Sequence, residues 1–370
     1  MLYRKIRSYI DDHFRSNEDK ILLIEGARQI GKSYIIRDVG TELYDNYVEI
    51  NFVEDDAGDK IFRNVRTTEE FYLNLSMVAG FKLDKYENTL VFIDEIQHYP
   101  QFLTMLKFLR QEHRYRFICS GSLLGIALKK TVSVPVGSII PKKMYQLDFE
   151  EFLIANDFGE DAIAHLRKSF EQKQPLAPEV HDKVLSLFKR YLLVGGMPDA
   201  VNEYLNSHNI VKVREAQESI RELYGVDASR YEEDAAKKLY IRRIYDMIPS
   251  QMENKKKRIV AKDILDRKGD RFSNYMEEFE YLINSGITIP SHAISNPKYP
   301  LAESQQKNLL KLYMNDVGML TSQLYHYNIQ PILNDIASIN LGSVYESAVA
   351  QELKAHYEKL FYYDNKQKGG

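Results

Sequence analysis

Over the first 150 residues, short apolar runs alternate with stretches of helical periodicity. Ile21-Leu22-Leu23-Ile24-Glu25 leads into a glycine-rich turn, and a helical stretch begins at about Lys32. Tyr47 to Val53 reads as a second strand with Val48, Ile50 and Phe52 on one face. Thr89 to Ile93 is almost wholly apolar, as a strand buried on both faces should be. Arg116 to Cys119 gives a fourth strand and Lys142 to Leu147 a fifth, with a helix over Gln101–Glu112 between the third and fourth. Such alternation predicts an α/β fold, a doubly wound parallel sheet sandwiched by helices.

Past residue 150 the pattern becomes helical. Phe152 to Phe188 carries helical periodicity broken at Pro175 and Pro178, followed by Gly195-Gly196-Met197-Pro198 and more helix through Tyr240. Val260–Arg267 reads as a short amphipathic helix, Asn274–Asn284 as a longer one stopped by Gly286, and Ile287–Ile294 as a strand. Two short helices before a hairpin-like segment predict a winged helix.

Composition narrows the class. The 370 residues carry 50 Lys and Arg against 53 Asp and Glu, a net charge of −3. A protein basic overall is thereby excluded, although a local basic face is not. One cysteine builds neither a disulfide framework nor a four-cysteine zinc site. No apolar run approaches the roughly 18 residues of a membrane helix, and no secretory signal opens the chain. The expectation is a soluble, cytoplasmic, multidomain protein.

The candidate chemistry sits at the strand ends. Gly26-Ala27-Arg28-Gln29-Ile30-Gly31-Lys32-Ser33 fits G-x-x-x-x-G-K-[ST] between an apolar strand and a helix that continues with Tyr34. The glycines allow close backbone approach, so successive N–H groups cradle phosphate oxygens. Lys32 is placed to reach the β- and γ-phosphates of ATP, and the Ser33 hydroxyl to take a position on Mg²⁺. Leu90-Val91-Phe92-Ile93-Asp94-Glu95 is an apolar strand ending in two carboxylates. Asp94 suits a water-bridged Mg²⁺ contact, and Glu95 suits orienting and deprotonating the attacking water. An adjacent acid pair favours hydrolysis over mere binding, because the metal needs only one carboxylate. At the end of the fourth strand, Ser120 or Ser122 is placed to touch the γ-phosphate or the water, and the sequence does not choose between them. His98 has no metal-ligand spacing with the other histidines.

These three pieces resemble the AAA-type and STAND-like P-loop ATPases, and the chain is similar to a bacterial and archaeal family in which such a domain is fused to a C-terminal domain of unknown function. Gly26–Ser33, Leu90–Gln97, Ser120–Leu124, Leu147–Phe152, Gly195–Pro198 and Leu310–Gly318 carry the likeness. It implies an ATPase role for Lys32, Ser33, Asp94 and Glu95, and an adenine contact for Pro198 in Gly196-Met197-Pro198. It divides the chain into an ATPase domain (1–150), a helical lid region (151–230), a winged-helix-like domain (231–325) and the start of a restriction-endonuclease-like segment (326–370). That last segment should pair a helix bearing Glu346 with a strand at Leu360–Tyr363 and then an Asp-bearing strand. The chain stops at Lys368-Gly369-Gly370 before such a strand, so the segment is expected to be incomplete and Glu346 to lack carboxylate and lysine partners.

Between Leu123 and Lys143 there are lysines but no arginine of the kind that completes a neighbour's site in many AAA enzymes, leaving Arg110, Arg114 and Arg116 as substitutes and the oligomeric state open. From Lys237 to Arg271, twelve Lys and Arg face five Asp and Glu, including Lys255-Lys256-Lys257-Arg258. That surplus makes duplex DNA a candidate partner through phosphate contacts, with Asn274 and Tyr275 as further contacts and a protein partner as the other option. The leading expectation is a Mg²⁺-dependent ATPase that moves a winged-helix module. The alternative is a slow ATP/ADP switch with little turnover.

Overall fold

The computed structural model describes residues 2–16, 18–80, 83, 87–122, 137–231, 234–254, 258–265, 271–334, 341–356 and 359–364. Two compact units result, one of Arg4–Tyr145 and one of Met1–Tyr3 with Gln146–Gly370.

The first unit runs α1 (Lys5–Arg15), β1 (Ile21–Glu25), α2 (Lys32–Leu43), β2 (Asn46–Asn51), α3 (Phe52–Ala57), α4 (Thr68–Ala79), β3 (Thr89–Asp94), α5 (Gln101–Glu112), β4 (Arg116–Gly121) and β5 (Ile139–Lys143). The five strands form one parallel sheet in the order β2-β3-β4-β1-β5, flanked by helices. All six residues of β3 are buried, as its unbroken apolar run requires. On one side of the sheet Phe52, Phe62, Phe71, Tyr99 and Phe102 interlock, with Phe52 and Phe102 ring centroids 4.7 Å apart.

Two strand boundaries differ from the expected ones. The second strand stops at Asn51, whose side chain accepts from the Val53 and Glu54 amides and so starts α3. The fifth is Ile139–Lys143 rather than Lys142–Leu147, because its register on β1 runs from Ile21↔Ile139 to Glu25↔Lys143. Pro141 is tolerated there because β5 is the edge of the sheet.

The second unit runs α6 (Phe149–Ala155), α7 (Glu160–Glu171), α8 (Pro178–Val194), α9 (Pro198–Ser207), α10 (Ile210–Tyr231), α11 (Ala235–Glu253), α12 (Ala261–Leu265), α13 (Met276–Asn284), β6 (Thr288–Ile294), β7 (Gln305–Met314), α14 (Val317–Tyr325), α15 (Gln330–Leu333), α16 (Gly342–His356) and β8 (Leu360–Tyr363). A small sheet, β7-β6-β8, joins an antiparallel hairpin to one parallel strand. Pro178 opens α8 instead of breaking a helix, its missing N–H costing nothing in the first turn.

Two sequence expectations change here, and one pair of quoted segments is brought together. Tyr275 is buried with its ring edge-on to Tyr240 at 5.5 Å, so it is packed into the unit rather than offered to DNA, while Asn274 is exposed in the turn before α13. Glu346 does have a lysine partner: Lys311 Nζ lies 2.8 Å from its Oε1, and the Tyr313 hydroxyl donates to the same oxygen at 2.7 Å. The Gly195–Pro198 and Leu310–Gly318 segments meet within the unit. The Gly196 amide donates to Asp316 Oδ2 at 2.6 Å, and the Leu147 amide donates to the Gly196 carbonyl at 2.8 Å. The three-lysine run at 255–257, the end of the expected amphipathic helix at 266–267, the stretch 123–136 and the terminal residues 368–370 lie outside the described residues.

Candidate phosphate site

In a parallel sheet the C-terminal strand ends line one crevice. Here the ends of β3, β4 and β1 are neighbours, with Ile24↔Ser120 and Ile93↔Cys119 in register, which brings Gly26, Asp94 and Ser120 to one edge. The loop leaves β1 at Gly26, where a Cβ would run into the Met144 carbonyl and come within 2.6 Å of Ile30 Cδ1. It enters α2 through Gly31 at φ +89°, a left-handed conformation that glycine adopts without strain. Gln29 also sits at positive φ, so the backbone curls between the two glycines ahead of α2. Arg4 braces it from a buried position, donating to the Ile30 carbonyl at 2.8 Å and the Tyr145 carbonyl at 2.5 Å. Sequence reasoning missed Arg4, which stands alone before α1 in no periodic or motif context. Tyr34, the next residue of α2, is 57% exposed.

Lys32 is buried and folds back onto the loop, donating to the Gly26 carbonyl at 3.0 Å and the Ala27 carbonyl at 2.8 Å. Its charge is thereby held over the loop. Ser33 Oγ donates to Asp94 Oδ2 at 2.8 Å. The other Asp94 oxygen accepts from the Ser120 hydroxyl and from the Glu95 amide at 3.0 Å. Burial pushes the Asp94 carboxyl up, and the Ser120 hydrogen bond pulls it back.

Glu95 sits at φ +53°, a conformation that costs a non-glycine residue on the order of 1–3 kcal/mol and persists only under external restraint. The restraints are visible. Gln97 Nε2 donates to Glu95 Oε2, the Ser122 hydroxyl donates to it at 3.1 Å, and Arg28 Nη2 stands 3.8 Å away. Burial would raise this carboxyl, but Lys32 and Arg28, with the Gln97 and Ser122 hydrogen bonds, hold it below the usual glutamate range. The two serines thus divide their work, Ser120 on Asp94 and Ser122 on Glu95. Gln97 is a buried member of the cluster that the sequence did not flag, because a turn two residues past the acid carries no pattern of its own. His98 ends that turn, half-buried. The donor set suits a hard cation: a buried carboxylate beside a hydroxyl, the oxygen ligands of Mg²⁺.

Pro198 lies in the other unit as the first residue of α9. Arg110, Arg114 and Arg116 sit at or before the start of β4, the opposite edge from the loop, and all three are engaged. Arg110 pairs with Asp19 at 2.7 Å, Arg114 lies 4.5 Å over the Tyr72 ring, and Arg116 donates to the Phe14 carbonyl at 2.8 Å.

Residues 18–153 match the family model described as an AAA domain, and residues 185–327 match one described as a domain of unknown function. No curated protein matches the chain. The Walker-type ATPase of Pyrococcus abyssi is similar at 15% identity and TM-score 0.50, over 88% of this chain and 96% of that one. The Aeropyrum pernix Orc1 protein in complex with DNA follows at 11% identity and TM-score 0.39, covering 91% of this chain and 94% of its own. The Thermotoga maritima RuvB Holliday junction branch migration motor is 13% identical with a TM-score of 0.36, covering 80% and 90%. At such identities the likeness is one of fold. The five-strand parallel sheet with its strand-end loop is a P-loop NTPase fold, and within it residues 18–153 match the AAA-domain model, while the C-terminal region matches a family of unknown function.

Proposed function

We propose that the chain binds ATP with Mg²⁺ and hydrolyses it to ADP and phosphate. The observation that carries this reading is the convergence of Lys32, Ser33, Asp94 and Glu95 at one edge of the sheet, with Ser33 bonded to Asp94 and a separately held Glu95 beside it. The backbone from Ala27 to Ser33 cradles the phosphates, and Lys32 leaves its loop carbonyls for their oxygens. Ser33 and Asp94 hold Mg²⁺, which when bound draws charge from the β- and γ-phosphates. Glu95 orients the water and takes its proton as the water oxygen bonds to the γ-phosphorus and the bond to the bridging oxygen breaks. Ser120 keeps Asp94 aimed. Pro198 is the residue proposed for the adenine.

The test is phosphate release from ATP in the presence of Mg²⁺. Glu95→Gln is expected to lower turnover by about a hundredfold or more while keeping ATP bound, and Lys32→Ala to lose both. Equal turnover in the parent and Glu95→Gln would end the hydrolase reading. The slow-switch reading is favoured by the two donors and the Arg28 ion pair that engage Glu95, and it predicts tight ATP binding with turnover insensitive to Glu95→Gln.

The finer part of the proposal couples the cycle to movement of a winged-helix module over residues 231–325, with duplex DNA as partner through the surplus of Lys and Arg in 237–271. In the described residues Lys237 pairs with Glu277 at 2.5 Å and Arg258 with Asp364 at 3.0 Å, so these two cations are already partly neutralised. An anisotropy titration at low salt decides it: no binding to duplex DNA and no stimulation of turnover would leave a protein partner.

A further inference from the structure

An ATPase that hydrolyses at a useful rate needs positive charge on the transferring phosphoryl group beyond its lysine, commonly from an arginine supplied by a neighbour. No arginine stands between Leu123 and Lys143, and Arg110, Arg114 and Arg116 are engaged at the far edge of the sheet. Arg28 is at the near edge, as the third residue of the phosphate loop itself. Its Nη2 stands 3.8 Å from Glu95 Oε2, its Nε donates to Ser122 Oγ at 3.4 Å, and its side chain is only 20% exposed. The guanidinium is therefore carried by the loop that holds the phosphates and rests against the residue that must hold the attacking water.

We propose that Arg28 is a catalytic residue, an arginine finger acting in cis, which pairs with Glu95 as seen here and exchanges that carboxylate for the γ-phosphoryl oxygens when ATP binds. This rests on the hydrolase reading above. The exchange follows from charge and shape. A triphosphate presents several negative charges where Glu95 presents one, and the planar guanidinium fork matches phosphoryl oxygens in a way an ammonium does not. The Glu95 carboxylate then loses its ion pair with Arg28 as water arrives, while the two hydrogen-bond donors, Gln97 and Ser122, keep it oriented. As the bond from water oxygen to γ-phosphorus forms and the bond to the bridging oxygen breaks, negative charge spreads over the equatorial oxygens, and Arg28 lies against it. The proton goes to Glu95, and ADP and phosphate leave.

The experiment uses the full chain and its Arg28→Ala and Arg28→Lys variants. Three quantities are read: turnover, affinity for ATP, and the tightening of ADP binding by aluminium fluoride, a stand-in for the transferring phosphoryl group. Arg28→Ala is expected to lose about a hundredfold or more in turnover, to keep ATP affinity within about fivefold, and to lose the aluminium fluoride tightening. Arg28→Lys should recover part of the turnover, since it keeps charge without the fork. An equimolar mixture of Arg28→Ala and Glu95→Gln proteins should turn over no faster than its parts, because each defect lies within its own protomer. Turnover of Arg28→Ala within about threefold of the parent, or recovery in the mixture, would overturn the cis finger while leaving the hydrolase standing. A parent chain with neither turnover nor tightening would overturn the hydrolase reading and the finger with it.

Discussion

The same one-carbon change has opposite consequences at two glycines of the C-terminal unit. At Gly196 a Cβ would fall on the Leu147 backbone, 2.8 Å from its nitrogen and 2.9 Å from its carbonyl carbon, and neither can yield. At Gly225, within α10, a Cβ would meet no atom within 4 Å. Gly196→Ala should therefore destabilise the protein by roughly 3 kcal/mol or more, as forced overpacking against backbone does. Gly225→Ala should stabilise it by about 0.5–1 kcal/mol, through lower entropy of the unfolded chain and better helix propensity. Urea unfolding of the two variants beside the parent checks both signs. Gly196 also shows why a motif is not yet a role: the sequence marks Gly195–Pro198 as special, and within its own unit that stretch is held by Asp316 and Leu147. The phosphate-loop residues were legible because each residue type has one chemistry at that spacing. The Arg28, Gln97 and Ser122 contacts on Glu95 were not, since they depend on where a turn and a strand end meet.

At the scale of elements, caps and register decide where periodicity stops. α4 begins in a capping box, with Thr67 accepting from the Glu70 amide and the Glu70 carboxylate answering the Thr67 amide. Thr67→Ala is expected to cost about 1 kcal/mol in urea unfolding, and Thr67→Ser to cost little. The Asn51 cap works in the same way at the end of β2, turning Phe52 and Val53 from predicted strand into helix although both fit the alternation. β5 could not be placed by its own residues. As an edge strand containing Pro141 it carries weak periodicity, and the hydrogen-bond register with β1 sets its limits. β1 and β3 were placed almost to the residue, because strands buried on both faces show as unbroken apolar runs.

For each unit as a whole, buried carboxylates in the C-terminal unit set a pH dependence. Glu352 on α16 accepts from the Phe149 amide at 3.0 Å and lies 3.1 Å from the Tyr191 hydroxyl. Burial first, and the Asp148 charge next, push it up to about 7. Asp316 is buried likewise and pushed up to about 6. Both values lie above those of an unfolded chain, so the folded state holds the protons more tightly. Their contribution is present below the ordinary carboxylate range and is lost as pH rises through 6 to 7. For Glu352 the loss is on the order of 3 kcal/mol. Unfolding measured from pH 5 to pH 8 should show the parent losing stability more steeply than Glu352→Gln. Identical slopes would exclude Glu352 as the titrating group. By itself the sequence determined the parallel α/β class of the first 150 residues, the phosphate loop and the paired acids, because local periodicity and a fixed motif spacing encode them. Tertiary structure alone decided that Ser33 and Ser120 share Asp94, that Arg28, Ser122 and Gln97 share Glu95, and that Asp316 closes on Gly196. Each of those joins residues distant in the chain or bent together by a turn, and only the register of neighbouring strands and the packing of helices bring such atoms within hydrogen-bond reach.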